Sequence, residues 1–110
     1  MSALYLMRYT GKSDFGAGCL YVGKGMIAGI DVGEARYSGT YREQDGRIIG
    51  TATLVAPPKS VALVTGQVLP PGQSIPISVN WPINFTNEVQ SVMVAGRPVG
   101  IVLEKIADIP

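Results

Sequence analysis

The chain is predicted to be all-β, and three observations carry that expectation. Apolar and polar residues alternate with a period of two through much of the sequence, the spacing that gives a strand one buried face. Glycine and proline recur too often for a 3.6-residue apolar stripe to run for any length, which disfavours helices. Turn residues return at short intervals and divide the chain into eight or nine short segments. Strands spaced in this way close as a meander barrel or pack as a sandwich.

Taken in order, strands are expected at Leu4–Tyr9, Gly18–Val22 and Met26–Asp31, with Gly23-Lys24-Gly25 and Val32-Gly33-Glu34 as turns. Arg36–Arg42 alternates cleanly: Tyr37, Gly39 and Tyr41 share one face, and Arg36, Ser38, Thr40 and Arg42 the other. A glycine between two rings suits a sharp bend or a backbone covered by a neighbouring ring. Gln44-Asp45-Gly46 predicts a hairpin into Arg47–Val55, because Asp-Gly accepts the positive φ angles of a tight turn. Val61–Gly66 is expected as a strand between two stiff corners, Pro57-Pro58-Lys59 and Pro70-Pro71-Gly72. In Ser74–Trp81 the apolar Ile75, Ile77, Val79 and Trp81 alternate with Ser74, Pro76, Ser78 and Asn80. Pro76 cannot donate to a ladder, so this strand is expected at an edge or with a bulge. Val92–Ala95 and Val99–Ile106, joined by Gly96-Arg97-Pro98, complete the set. No repeat or linker interrupts 1–110, which reads as a single domain of ordinary size.

Charge narrows the classes of partner. Nine basic and eight acidic residues are scattered along the chain, so neither nucleic acid nor an anionic membrane is favoured. No run approaches the ~20 apolar residues of a membrane helix. The N-terminus lacks the pattern of a signal peptide, and the single cysteine cannot close an internal disulfide, so the cytoplasm is the expected compartment. Asn84-Phe85-Thr86 has the form of a glycosylation acceptor but reads as turn chemistry. Between Ile48 and Asn87 the only charge is Lys59, so that stretch is expected to be buried, self-associated or set against an apolar partner.

Candidate catalytic groups are few. Histidine is absent, which removes the commonest general base and the commonest metal ligand. Cys19, in an apolar strand, is expected to be a packed structural thiol. The acids Asp14, Asp31, Glu34, Glu43, Asp45, Glu88, Glu104 and Asp108 fall mostly in turns, where solvation explains them; Asp31 ends an apolar strand and is placed to brace the following loop. The glycines at 16, 18, 23, 25 and 29 match neither the dinucleotide nor the P-loop spacing. Arg36 and Arg42 lie on the face opposite Tyr37 and Tyr41, so one surface would not present both to a nucleic acid. The chain is therefore expected to have no enzymatic activity, no cofactor and no metal.

One binding feature remains. Gly50 and Ala52 share a face with Ile48 and Leu54 and form a strip of low side-chain volume. Large residues opposite are expected to fill that space, as in most eight-stranded interiors; the alternative is an apolar pocket at Gly50, Ala52, Tyr37 and Tyr41 for a lipid or other small molecule.

The first half of the chain resembles the GrlR-type negative regulators of type III secretion. The likeness rests on Leu4-Tyr5, on Gly16-Ala17-Gly18-Cys19-Leu20, on Met26-Ile27-Ala28-Gly29-Ile30-Asp31 and on Tyr37-Ser38-Gly39. The resemblance implies an antiparallel up-and-down, lipocalin-like barrel of about eight strands. It also implies a non-enzymatic homodimer that represses by binding a protein partner, a transcriptional activator, through an acidic loop. That loop falls at Glu43, Gln44, Asp45 and Gly46, of which Glu43 and Asp45 carry the acidic character. The leading expectation is an interaction protein of this kind, dimeric through part of the charge-poor second half; the alternative is a carrier of a lipid or other small apolar ligand in the barrel.

Overall fold

A computed structural model describes residues 1–11, 15–63 and 65–110. Asp14 and the middle of the expected strand Val61–Gly66 lie outside the described residues. The ten strands are β1 (Ser2–Thr10), β2 (Phe15–Gly23), β3 (Met26–Asp31), β4 (Arg36–Gln44), β5 (Arg47–Val55), β6 (Val61–Ala62), β7 (Val68–Leu69), β8 (Ser74–Pro82), β9 (Gln90–Val94) and β10 (Arg97–Asp108). No helix occurs among the described residues. Eight strands form a closed antiparallel barrel in the order β1-β10-β9-β8-β5-β4-β3-β2, and β10 pairs with β1 to complete the circle.

The hairpins follow from local chemistry. Lys24-Gly25, Asp45-Gly46 and Ala95-Gly96 are two-residue turns in which both residues have positive φ: 53° and 78°, 53° and 74°, 50° and 79°. That geometry matches the twist of the flanking strands, and glycine takes the second position without a steric cost. Along β4 and β5 a different property of glycine is used. A Cβ at Gly39 would strike the Thr51 carbonyl, and one at Gly50 the Thr40 carbonyl, so both positions serve the close approach of the two strands.

Two expectations about the second half change. Among the described residues the expected strand Val61–Gly66 contributes Val61–Ala62, paired with Val68–Leu69 in a separate two-stranded sheet. Its proline corners set it outside the barrel ladder, and β5 continues directly into β8 through Val55 opposite Ser74 and the Ala56 N–H donating to the Gln73 carbonyl at 2.9 Å. Residues 56–73 are thus an excursion from one hairpin. Pro76 sits in a strand interior to the barrel, without a bulge in the β5–β8 register. It is an edge only locally: β8 pairs with β5 throughout but with β9 only at Ile77 and Ser78.

The inward alternation of Ser74–Trp81 and of Tyr37, Gly39 and Tyr41 is observed. The charge-poor stretch buries Ile48, Ala52, Leu54, Ile77, Val79 and Trp81, while Thr51, Thr53, Ser78 and Asn80 cover its outer face with uncharged polar groups. Charge is unnecessary there because hydroxyls and an amide already meet the solvent.

One end of the barrel is plugged. Phe85, 1% exposed, reaches in from the loop after β8 and packs on Tyr5 and Trp81 with ring centroids 5.4 and 5.6 Å apart. The expected turn at Asn84-Phe85-Thr86 is present, and its central ring is core. The Trp81 indole N–H donates to the Ser91 carbonyl at 3.2 Å, so the polar edge of the plug has a partner.

Candidate functional site

Toward the other end the barrel is hollow. A cavity of about 260 Å³ runs inward from the β3–β4 turn. Its floor is Trp81 and Ile48, its walls include Val22, Leu54, Val79 and Ile101, and Val61 and Leu63 of the excursion cover it. The walls are aliphatic because each strand sends alternate residues inward, and the sequence places Val, Ile and Leu at those positions.

The rim carries the polar chemistry. Asp31, the last residue of β3, accepts four hydrogen bonds. Its Oδ1 takes the backbone N–H groups of Gly33 at 2.9 Å and Ala35 at 3.1 Å, so the carboxylate does brace the following turn. Its Oδ2 takes the hydroxyls of Tyr37 at 2.6 Å and Tyr9 at 3.0 Å. Tyr37, near the start of β4, is on the strand next to β3, and Tyr9, near the end of β1, reaches Asp31 across Gly16 of the intervening β2, where a Cβ would meet its ring. Burial, then the hydrogen bond and the charge of Asp31, push the Tyr37 phenol well above its ordinary value, so it is protonated throughout the physiological range. Among the described residues Asp31 is the only charged group in the cavity wall. Outside, the Lys59 ammonium lies 2.7 Å from a carboxylate oxygen of Glu34 and ties the excursion to the β3–β4 turn.

The residues singled out from sequence divide between the two ends. Ala52 and Tyr37 line the cavity, whereas Gly50 and Tyr41 do not. The small volume at Gly50 is taken up by the β4 backbone, as its contact with Thr40 and Tyr41 requires, and leaves no interior room. Glu43, Gln44, Asp45 and Gly46 form an exposed hairpin tip at the plugged end, where the Arg42 Nε donates to the Gln44 amide oxygen at 3.0 Å. Cys19 is exposed, not packed: it alternates with the buried Leu20 and so faces outward from β2. Among the described residues no group of three His, Cys, Asp or Glu side chains could hold a metal ion.

Two elements of the site, Tyr9 and the covering residues Val61 and Leu63, were not singled out from sequence, nor was the Phe85 plug at the opposite end. Tyr9 had a signal in the alternation of β1, which places Tyr5, Met7 and Tyr9 on one face. Phe85 had none, because its position depends on a loop crossing the barrel end. No family profile, curated protein or solved structure matches this chain.

Proposed function

We propose that this protein is a non-catalytic carrier or sensor that takes a small apolar molecule into the hollow end of its barrel. The observation that carries the reading is the aliphatic cavity of about 260 Å³ with a hydrogen-bonding cluster at its rim. An apolar pocket with a few convergent polar groups is the usual form of a small-molecule site. By proportion to a cavity of ~150 Å³ that holds benzene, the occupant has roughly ten non-hydrogen atoms. Action without turnover is supported by the absence of histidine and by a carboxylate whose two oxygens are already engaged. An exposed thiol suits the reducing cytoplasm, and the Arg, Ser and Thr residues on the outer face of β4 and β5 are the reverse of a membrane barrel's apolar belt. Native mass spectrometry of the purified protein tests the reading: a retained apolar adduct, lost in Ala52→Leu, supports it, and a clean apo mass unresponsive to added short amphiphiles removes it.

A second reading, contact with a protein partner or a second copy of the chain, is favoured by the outer face of β1–β3. There Leu6, Cys19 and Ile30 adjoin across three strands, with Leu4, Tyr21 and Ala28 in the next row. Light scattering that gives a strict monomer at high concentration eliminates the second copy. Activator capture that survives reversal of Glu43 and Asp45 eliminates the acidic turn as the contact.

A further inference from the structure

We propose that the cavity selects its occupant by head-group charge, admitting an amphiphile with an uncharged or cationic, hydrogen-bond-donating head and rejecting a carboxylate. The inference rests on the ligand-binding reading and names the class of ligand.

Three features of the rim argue for it. Asp31 is the only charged residue in the wall among those described, and no cation lines the cavity there to neutralise an incoming anion. All four of its hydrogen bonds come from N–H or O–H donors, so the group acts only as an acceptor, which is the behaviour of the ionised carboxylate. An anionic head would bring a second negative charge beside the first at a half-buried rim, where repulsion is screened less than in bulk water. An ammonium would meet attraction instead.

Hydrogen bonding points the same way. The Tyr37 hydroxyl spends its one proton on Asp31 at 2.6 Å, so toward a ligand, as toward the neighbouring Tyr9 hydroxyl, its oxygen acts only as an acceptor. A head that donates, an alcohol or an amine, complements it, whereas a carboxylate offers lone pairs to lone pairs. The apolar walls then take a short chain or small ring system, and the volume excludes a full-length lipid tail unless the tail emerges at the mouth.

The test uses three ligands with the same tail: 1-octanol, octylamine and octanoate. Trp81 is the only tryptophan and lies in the cavity floor, so its emission reports occupancy, with calorimetry as the second measure. At pH 7 octanol and octylamine are expected to bind at least tenfold more tightly than octanoate, a difference of about 1.4 kcal/mol. Acidification to about pH 4, where octanoate gains its proton, is expected to close most of that gap in the native protein without any substitution. Asp31→Asn should reduce the discrimination to less than threefold. If that variant does not fold, Tyr37→Phe serves, since it keeps the charge: octanol should weaken several-fold while octanoate stays excluded. Octanoate binding as tightly as octanol at pH 7 overturns the head-group selection while leaving the cavity reading intact. Failure of all three ligands to bind overturns the cavity reading and the selection with it.

Discussion

The plugged and hollow ends of this barrel are made from the same eight strands, yet aromatic rings close one and aliphatic side chains surround empty space at the other. At the plugged end Phe85 packs against Tyr5 and Trp81 with the ring planes tilted by 52° and 53°, and Leu103 and Ile48, each 1% exposed, belong to the same core cluster. At the hollow end the inward residues include Ala52, Val61, Leu54 and Ala35, and the rings of Tyr9 and Tyr37 are drawn to the rim by Asp31. The difference teaches that stability and binding are separated along the barrel axis: one end supplies packing, and the other gives some of it up for room.

Truncating the plug gives the largest expected effect. Phe85→Ala should cost about 3–5 kcal/mol in urea unfolding, because a fully buried ring leaves a cavity that its neighbours cannot fill. Leu54→Ala should fall at or below the bottom of the ~2–5 kcal/mol range for such changes, since Leu54 already borders empty space and has fewer contacts to lose. Equal costs at the two positions would break the contrast.

Adding volume reverses the comparison. Ala3→Leu places extra methyl groups in packed core and should cost about 1–3 kcal/mol. Ala52→Leu projects the same groups into the cavity, so unfolding should be unchanged or slightly harder while the Trp81 response to octanol disappears. A matched loss of stability in both variants would mean that the hollow end is as tightly packed as the plug.

Alkaline pH probes the rim through Tyr37, and the plug through Tyr5, whose phenol is also raised by burial. The Tyr37 phenol is held above its ordinary value in the folded protein, so its contribution is fully present below about pH 10, where the unfolded chain begins to ionise. As pH rises further the unfolded state releases its proton first, and stability falls by up to ~1.4 kcal/mol per pH unit for that group. Tyr37→Phe should flatten this alkaline slope in denaturation curves taken between pH 9 and pH 11. It should also cost roughly 1 kcal/mol at neutral pH through the lost bond to Asp31. An unaltered slope would remove Tyr37 as its source.

Much of this was legible in the sequence because it depends on local rules. Alternation placed Ile77, Val79 and Trp81 inward, and Asp45-Gly46 announced its own turn. The position of Asp31 after an apolar strand indicated a brace, and its backbone bonds are those of one. What was hidden depends on contacts across more than one strand. Tyr9 and Tyr37 meet at one carboxylate only because β1, β2, β3 and β4 lie side by side, and no spacing along the chain expresses that. Gly50 misled for a related reason: a missing side chain reads as spare volume, but in a sheet the adjacent strand can claim it. Cys19 misled because an apolar stretch with small residues does not reveal which face turns inward.

The smallest expected effect concerns how ligands pass the hollow end. Lys59 and Glu34 are both exposed, and removing an exposed pair should leave the urea midpoint of Lys59→Ala where it is in the native protein. Yet this contact joins the excursion that covers the cavity to the turn that bears Asp31, so octanol should leave several-fold faster from Lys59→Ala in stopped-flow dilution. High salt should speed release from the native protein and change the variant little, because screening acts on the same pair. The hydrogen bond and charge of Lys59 hold the Glu34 carboxyl below its usual value. The contact is therefore complete above the ordinary carboxylate range and is lost as pH falls through the lowered value. Release from the native protein should stay constant from neutral pH into that range and then quicken, while the variant shows no such rise from this pair. Release rates that are identical in the two proteins at every salt concentration would mean that ligands do not pass this contact.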